Sequence, residues 1–195
     1  VTNFSVSGQT GDPNDIYFTN DGAKFYVNGG NNDVYQYSCS TAWDVSTASY
    51  DSKSFSSVSQ TSQLEGLWLK GDGSKMFLLD RGNLSVFQYT LSTAYDVSTA
   101  SYDSVSFSIS SQDSNPQGIY FKPDGDKFYF VGAANDNVFQ YSSGSPITIT
   151  WDADIEWGGG TAPDSPAAGE KDLYTFTTDD GGTTYFGVQS GDAFS

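Results

Sequence analysis

Short stretches that alternate apolar and polar residues, or are rich in aromatic residues, recur along the chain and are separated by Gly, Asn and Asp turns. Residues 64–70 and 75–79 flank one such turn, and residues 84–90 follow the next. Alternation over about four to eight residues is typical of a half-buried β-strand. No window sustains the 3.6-residue apolar period of an amphipathic helix. The pattern therefore predicts an all-β chain, with a fourth strand of this unit at residues 102–109.

The strand pattern is repeated at an offset of 52 residues, since residues 41–52 return almost letter for letter as residues 93–104. Other landmarks keep nearly the same period: Phe4, Phe55 and Phe107, and the Asp-Gly pairs at 21–22, 72–73 and 124–125, each followed two residues later by a lysine. A unit of about 50 residues with four antiparallel strands is typical of a propeller blade. We therefore expect three blades in residues 1–145, with the lysines exposed where the second strands begin.

Three blades do not complete a ring, because closed propellers usually have about four to eight. Three arrangements are open. Further blades precede the chain, or subunits pool their blades, for example two chains of three, or the units form an open array capped by other chains. The start of the chain just before residues 3–7, which have the pattern of an outer strand, favours the first arrangement.

The period ends after the Gln-Tyr pair at 140–141, because residues 142–146 replace the connection found in the earlier units. Residues 146–195 are predicted to form a separate, small C-terminal β module. Its strands are expected at residues 147–151, with a continuation to Trp157, and at 172–177 and 183–188. Because so small a sheet is marginally stable alone, we expect it to pack against the propeller or against copies of itself.

Residues 116–131 contain a Pro and a Gly before a first strand, then an Asp-Gly turn and a second strand. With these features the repeats, over about residues 4–141, resemble the propeller repeats of the YVTN and NHL-like kind. The resemblance implies the fold and no particular activity, since propellers include enzymes, sensors and adhesins.

A second resemblance concerns residues 149–151, 157–163 and 172–187. These segments resemble the closing part of tail fibres and related virion proteins of tailed phages, and the duplicated segment at 41–52 is similar to repeats of marine phage virion proteins. The resemblance implies an exposed, oligomeric component of a virus particle, located on the virion and therefore extracellular.

The chain carries 24 acidic and 8 basic residues, which gives a formal net charge of −16. Nucleic-acid binding requires a Lys/Arg surface and is not expected. No apolar run approaches the roughly 18 residues that span a bilayer. The chain has no histidine, the commonest metal ligand, and its Asp-rich turns do not match the calcium loop with its terminal Glu. We therefore expect no metal and no cofactor.

Four aromatic residues of the duplicated segment are candidate ligand contacts: Trp43, Tyr50, Tyr95 and Tyr102. A flat ring offers an apolar face to a sugar, while neighbouring Asp and Ser side chains bond its hydroxyls. The alternative is that these repeated positions fill the space between adjacent blades. The sequence leaves both interpretations open.

Catalysis is not expected, and no catalytic residue is assigned. Tyr, Ser and Thr are too numerous to single out a nucleophile without a His or a paired Lys. A glycosidase would need two carboxyl groups held close together. Glu65 is the sharpest candidate, because it lies at the start of a channel-side strand where the other repeats have Asp15 and Gln117.

These observations favour an exposed structural protein of a phage particle, either a tail fibre or another appendage. It would serve as a scaffold and bind the host surface, including its carbohydrate, through many weak contacts. Its other partners would be copies of itself and further virion proteins. Two alternatives stay open: a polysaccharide-degrading glycosidase domain of a phage fibre, and a bacterial cell-surface adhesion module.

Overall fold

The structure is a computed structural model that describes residues 1–123, 125–142, 155–157, 171–177 and 185–194. The contacts within the chain divide it into two compact units, Val1–Ser142 and Ser143–Ser195. The described part of the first unit consists of strands, turns and two short 3₁₀ turns, Val45–Thr47 and Val97–Thr99. The alternating pattern thus correctly predicted an all-β chain.

Three antiparallel sheets follow one another along the first unit, and we call them blades 1, 2 and 3. Blade 1 comprises β1 (Pro13–Phe18), β2 (Lys24–Gly29), β3 (Asp33–Cys39) and β4 (Ala48–Ser56). Blade 2 comprises β5 (Leu64–Leu69), β6 (Lys75–Asp80), β7 (Ser85–Leu91) and β8 (Ala100–Ser108). Blade 3 comprises β9 (Pro116–Phe121), β10 (Lys127–Gly132) and β11 (Asn137–Ser142).

The predicted fold class, propeller-like blades of antiparallel strands in an all-β chain, is confirmed. Neighbouring strands in each blade are consecutive in sequence, so each blade is an up-and-down sheet. Blades 1 and 2 have four strands, whereas blade 3 has three among the described residues.

The second unit contains β12 (Ile155–Trp157), β13 (Lys171–Thr177) and β14 (Tyr185–Phe194), in the order β12-β14-β13. The predicted strands at 172–177 and 183–188 correspond to β13 and β14, which pair antiparallel. The parallel pairing of β12 with β14 was not predicted. The strand predicted at residues 147–151 lies outside the described residues.

Two of the three cores lie between blades, and the third lies between blade 1 and the segment around Phe4. We call the face of a blade that is turned toward the preceding blade its leading face, and the opposite one its trailing face. One core joins the trailing face of blade 1 to the leading face of blade 2 and includes Tyr26, Val34, Leu67, Met76 and Leu78. Another joins blade 2 to blade 3 and includes Trp68, Leu79, Val86, Ile119 and Phe130. Each sheet therefore depends on its neighbour to remove apolar surface from water.

The phenylalanines that keep the repeat period lie where one blade meets the next. Their rings lie edge-on against equivalent tyrosines of blades 1, 2 and 3: Phe4 against Tyr37 at 5.7 Å, Phe55 against Tyr89 at 5.1 Å, and Phe107 against Tyr141 at 4.8 Å. Phe55 belongs to β4 and Phe107 to β8, the outer strands of the preceding blades. The segment around Phe4 thus occupies, on blade 1, the place that the ends of β4 and β8 take on blades 2 and 3.

All three lysines that follow the Asp-Gly turns are half-buried and not exposed as predicted, and two of them lie beside an aspartate. Lys75 is half-buried, and its Nζ lies 2.7 Å from Asp103 Oδ2 in β8. Lys24 lies 3.6 Å from Asp51 Oδ2 in β4 in the same way. The prediction is wrong for Lys24 and Lys75 because the outer strand places an aspartate beside each, and this neighbour is not visible from the local sequence.

Candidate functional site

A cavity of about 230 Å³ lies where the inner strands β1, β5 and β9 end and lead into the Asp-Gly turns. The fifth residue of each inner strand lines it, namely Tyr17, Trp68 and Tyr120. The remaining lining residues come from the strand ends and turns: Phe18, Asn20, Gly71, Phe121 and Pro123. One repeat position thus contributes an aromatic ring to this cavity from each of the three blades.

The aromatic rings around the cavity contact one another and differ in how deeply they are buried. The Tyr17 and Trp68 rings meet edge-on at 6.1 Å, and the Trp68 ring lies 5.0 Å from that of Phe121. Trp68 is buried, Tyr17 is half-buried and Tyr120 is exposed. The cavity therefore has a fixed aromatic wall on one side and an accessible tyrosine on the other.

Burial is the main cause that raises the pKa of Tyr17 to about 12, and the nearby Tyr95 and Tyr120 phenols add to it. The Tyr17 hydroxyl therefore keeps its proton at any physiological pH and can donate a hydrogen bond.

Several polar groups at the cavity are not used by the fold. The hydroxyls of Tyr17 and Tyr120, the Trp68 indole N–H and the Asn20 amide make no hydrogen bond to any described residue. Apolar ring faces beside a few free donors and acceptors are typical of sites for small ligands. The arrangement suits a flat or ring-shaped molecule with hydroxyl groups at its edge.

Two of the four predicted site residues lie at the edge of this cavity. The Trp43 ring is exposed and stacks on Phe18, with ring centroids 5.3 Å apart. The Tyr95 hydroxyl donates a hydrogen bond to the Gly71 carbonyl oxygen. Phe18 and Gly71 both line the cavity, so the duplicated loops of blades 1 and 2 reach the same end of the inner strands.

The other two predicted residues, Tyr50 and Tyr102, lie in aromatic packing on the outer strands. Tyr50 contacts Tyr37 at 5.5 Å, and Tyr102 contacts Tyr89 at 5.6 Å. Both rings are half-buried beside the cores. The structure thus gives the packing role to this pair and brings only Trp43 and Tyr95 to the cavity.

Sequence reasoning missed Tyr17, Trp68 and Tyr120. The signal that could have found them is their spacing of 51 and 52 residues, with an aromatic residue at the same position of each predicted inner strand. Spacing alone would not have shown that the three rings line one cavity, because that depends on how the blades stack.

Glu65 lies toward the opposite end of β5 and forms an ion pair with Arg81, with Oε1 and Nη2 2.8 Å apart. Burial raises the pKa of Glu65; Arg81 opposes this shift, and Asp12 and Asp80 add to it. The strand pairing corrects the predicted equivalence of Glu65 and Asp15. Pro13 faces Gly29 in blade 1 as Leu64 faces Asp80 in blade 2, so Pro13 and Leu64 occupy the same position. The equivalents of Glu65 are therefore Asn14 and Gln117, and Asp15 is one position further along.

Asp15 instead joins blade 1 to blade 2. Its Oδ2 accepts a hydrogen bond of 2.9 Å from the Leu67 backbone N–H in β5. Burial raises the pKa of Asp15, while the hydrogen bonds from Leu67 and Ile16 oppose that shift. Asn14 donates to the Leu64 carbonyl oxygen at 2.7 Å. These polar contacts hold the first two inner strands side by side.

Across the part of the chain that the structure describes, no group of three Cys, Asp or Glu side chains is arranged to hold a metal ion. In the same residues, no helix has the length and apolar character to cross a bilayer.

Comparison with known proteins shows the fold. No protein-family model matches the sequence, and no curated protein matches it. A solved structure from Bacteroides fragilis with a provisional assignment as 6-phosphogluconolactonase is similar, with 11% identity over 67% of this chain and 34% of that chain and a TM-score of 0.50. A Bacteroides uniformis structure with the same provisional assignment has 11% identity over 67% and 36%, and a TM-score of 0.50.

A third similar structure, from Lactobacillus plantarum, has 14% identity over 80% of this chain and 41% of that chain, and a TM-score of 0.51. At such identities the likeness shows the fold alone, and the fold is β-propeller-like. The chain spans about a third to two fifths of the length of these structures. None of the three is described as a virion or tail-fibre protein.

The prediction that the chain is not an enzyme is corrected by these comparisons. Two of the three similar structures carry a provisional lactonase assignment. The prediction gave great weight to the missing histidine, whereas carboxyl groups and phenols also serve as acids and bases. Among the described carboxyl groups, burial raises the pKa of Glu65 and of Asp15.

Proposed function

We propose that the three blades form a binding module that holds a sugar ring in the aromatic cavity. The observation that carries this proposal is the set of equivalent residues Tyr17, Trp68 and Tyr120, which place three rings and three free donors around one space. The fold makes no use of the Tyr120 hydroxyl or of the Asn20 amide. Trp43 and Tyr95 extend the aromatic surface at the edge of the cavity.

The size of the cavity limits the ligand and its affinity. About 230 Å³ is below the ~300–1,000 Å³ of typical small-molecule pockets. The site therefore accommodates one ring of a glycan and leaves the rest of the chain in solvent. A contact of this size gives weak binding, with a Kd on the order of 1 mM.

Weak sites become effective when many copies act together. The resemblance of the sequence to virion proteins of tailed phages supports a setting in which they do. In this proposal the chain is part of an exposed appendage of a phage particle, associates with copies of itself and with other virion proteins, and attaches to carbohydrate of the host surface.

The binding proposal is tested with the full chain against a panel of mono- and oligosaccharides, with binding followed by nuclear magnetic resonance. Tyr120→Ala and Asn20→Ala change exposed residues, so we expect unchanged thermal unfolding and about tenfold weaker binding. Phe186→Ala, which removes an exposed aromatic ring in β14, is the matched control and should bind like the wild type. Equal binding by all three variants would rule out the cavity as the site.

Glu65 supports a second candidate function, a hydrolase. Its pKa is raised, Asp12 and Asp80 lie close enough to contribute, and the equivalent positions of the other blades have the amides Asn14 and Gln117. A carboxyl group in such surroundings is a candidate general acid. The substrates to assay are gluconolactones, for which the similar structures are provisionally assigned, and host polysaccharide.

For this candidate, Glu65→Gln should abolish lactone opening or the release of reducing ends, while Tyr120→Ala should leave the chemical step in place. Turnover by Glu65→Gln at the wild-type rate would exclude Glu65, and no turnover by the wild type on either substrate would exclude the hydrolase candidate.

A further inference from the structure

Two faces of the described propeller have exposed apolar residues although the equivalent residues are buried elsewhere in the same chain. The leading face of blade 1 is covered only in part, because the segment around Phe4 packs on Phe25 and Tyr37. On the leading face of blade 1, Ile16 is 52% exposed, whereas its equivalents Leu67 in blade 2 and Ile119 in blade 3 are 2% and 9% exposed. The position is apolar in all three blades. Blade 1 covers Leu67 of blade 2, and blade 2 covers Ile119 of blade 3. Blade 1 thus has the residues of an interface without a described neighbour.

The trailing face of blade 3 shows the complementary difference. Val138 in β11 is 71% exposed, whereas its equivalents Val34 in β3 and Val86 in β7 are 0% and 5% exposed. Val131 of the same face is also exposed. Blade 2 covers the trailing face of blade 1, and blade 3 covers that of blade 2. The equivalent residues of blade 3 are exposed.

The leading face of blade 1 is also concave. A cavity of about 430 Å³ lies there, and its apolar lining includes Phe4, Val6, Ile16, Phe25 and Val27. In blades 2 and 3, side chains of the preceding blade fill the equivalent space. The cavity has the position and the chemistry of a blade-to-blade contact.

We propose that a second copy of this chain covers both faces. The leading face of each copy packs on the trailing face of the other, and the resulting contact continues the series formed by the two blade interfaces within each chain. Two chains of three blades make six, which lies within the usual four to eight blades of a closed propeller, whereas three chains would exceed it. A twofold axis makes the two new interfaces identical.

Strand pairing extends the proposal to single residues. Phe55 in β4 pairs across the sheet with Val34, and Phe107 in β8 pairs with Val86. Phe4 has the same position relative to blade 1 that Phe55 and Phe107 have relative to blades 2 and 3. The segment around Phe4 of one copy therefore completes blade 3 of the other, with Phe4 beside Val138.

The first test measures the mass of the full chain in solution by sedimentation. We expect twice the 21.0 kDa of one chain. Ile16→Asp and Val138→Asp each place a charge in both interfaces and should give monomers that keep their near-ultraviolet circular dichroism. Val58→Asp, at an exposed position on neither open face, is the matched control and should remain a dimer. A wild-type monomer at about 100 µM would overturn the proposal.

The second test does not depend on a destabilising substitution. Phe4→Cys protein is mixed with Val138→Cys protein and oxidised, and we expect a disulfide between the two chains. Neither variant alone should form it, and buried Cys39 is common to all samples. A chain with both substitutions should give covalent dimers. A ladder of longer products would instead indicate an open array and overturn the closed pair, and so would the absence of any cross-link in the mixture.

Discussion

The two copies of the duplicated loop, residues 41–47 and 93–99, have the same local structure in different surroundings. Trp43 and Tyr95 both have left-handed backbone, with φ of 66° and 63°. Each ring covers the glycine of the preceding Asp-Gly turn. Asp44 and Asp96 each accept a hydrogen bond from the backbone N–H two residues on. The two nearly identical sequences therefore form the same turn in both blades.

The neighbouring blade makes the difference between the two loops. The loop of blade 2 contacts blade 1, where Gln36 Oε1 accepts from the Val97 N–H at 3.1 Å and Lys53 Nζ lies 2.5 Å from Asp96 Oδ2. Val97 is fully buried there, whereas its equivalent Val45 is half-buried. The turn is therefore a local property of the sequence, whereas its contribution to stability depends on whether a preceding blade contacts it.

The largest effect that we predict from this comparison concerns the covered glycines. A Cβ at Gly73 would lie 2.5 Å from the Tyr95 ring, one at Gly22 would lie 2.4 Å from the Trp43 ring, and one at Gly125 would meet no described atom within 4 Å. All three have positive φ, so each change to alanine costs about 1 kcal/mol from the backbone. Where the aromatic ring cannot move away, its clash with the new Cβ adds to this backbone cost.

We therefore expect losses in the free energy of unfolding of about 3 kcal/mol for Gly73→Ala, about 2 for Gly22→Ala and about 1 for Gly125→Ala. The order follows because Tyr95 is tied to Gly71 and its loop contacts blade 1, whereas exposed Trp43 can rotate away. Urea unfolding measures the series. Equal losses at residues 22 and 73 would contradict the role given to the neighbouring blade.

A smaller effect is expected from shortening the equivalent valines. Val97→Ala removes apolar surface that blade 1 covers and should reduce the free energy of unfolding by about 2 kcal/mol. Val45→Ala acts at a half-buried position and should cost less than about 1 kcal/mol. The same urea series measures both. If a second copy covers Val45 at high protein concentration, the two variants should lose more similar amounts of unfolding free energy at that concentration.

The smallest effect concerns the ion pair between Lys53 and Asp96. Burial alone would raise the pKa of Asp96, but the hydrogen bonds from Lys53 and Ser98 outweigh burial and lower the pKa. A lowered pKa in the folded state stabilises the protein above the ordinary aspartate pKa, and this stabilisation is lost as the pH falls through the lowered value. Acid should therefore weaken the contact between blades 1 and 2.

Lys53→Met should reduce the free energy of unfolding at pH 7 by less than about 1 kcal/mol, because Lys53 is partly exposed. It should also make the loss of folding free energy shallower as the pH falls below the ordinary aspartate pKa. Lys127→Met is the control, since Lys127 bonds Ser142 and its partner is not a carboxylate. An unchanged acid profile in Lys53→Met would show that the pair does not stabilise the folded state.

Much of the fold was predictable because strands and turns depend on nearby residues. The period of 51 to 52 residues located the blades, and the Asp-Gly pairs marked turns where Gly22 and Gly73 have positive φ. The lysine contacts were not predictable in this way. Asp51 and Asp103 reach Lys24 and Lys75 across other strands, so the partner is distant in sequence.

The candidate site was only partly predictable. The aromatic character of the duplicated loops directed attention to Trp43 and Tyr95, which do lie beside the cavity. The same argument selected Tyr50 and Tyr102, which pack on the outer strands. Composition and spacing describe all four residues equally well, and only the position of the neighbouring strand separates them.

The sequence by itself determined the strands, the turns between them and the repeated loop, because each depends on the backbone preferences of a few adjacent residues. Only the tertiary structure decided which repeated positions are covered. Successive side chains of a strand point to opposite faces, and whether a face meets another sheet or solvent depends on the stacking of whole blades. For that reason Ile16 and Leu67, equivalent in sequence, are respectively an open and a buried position.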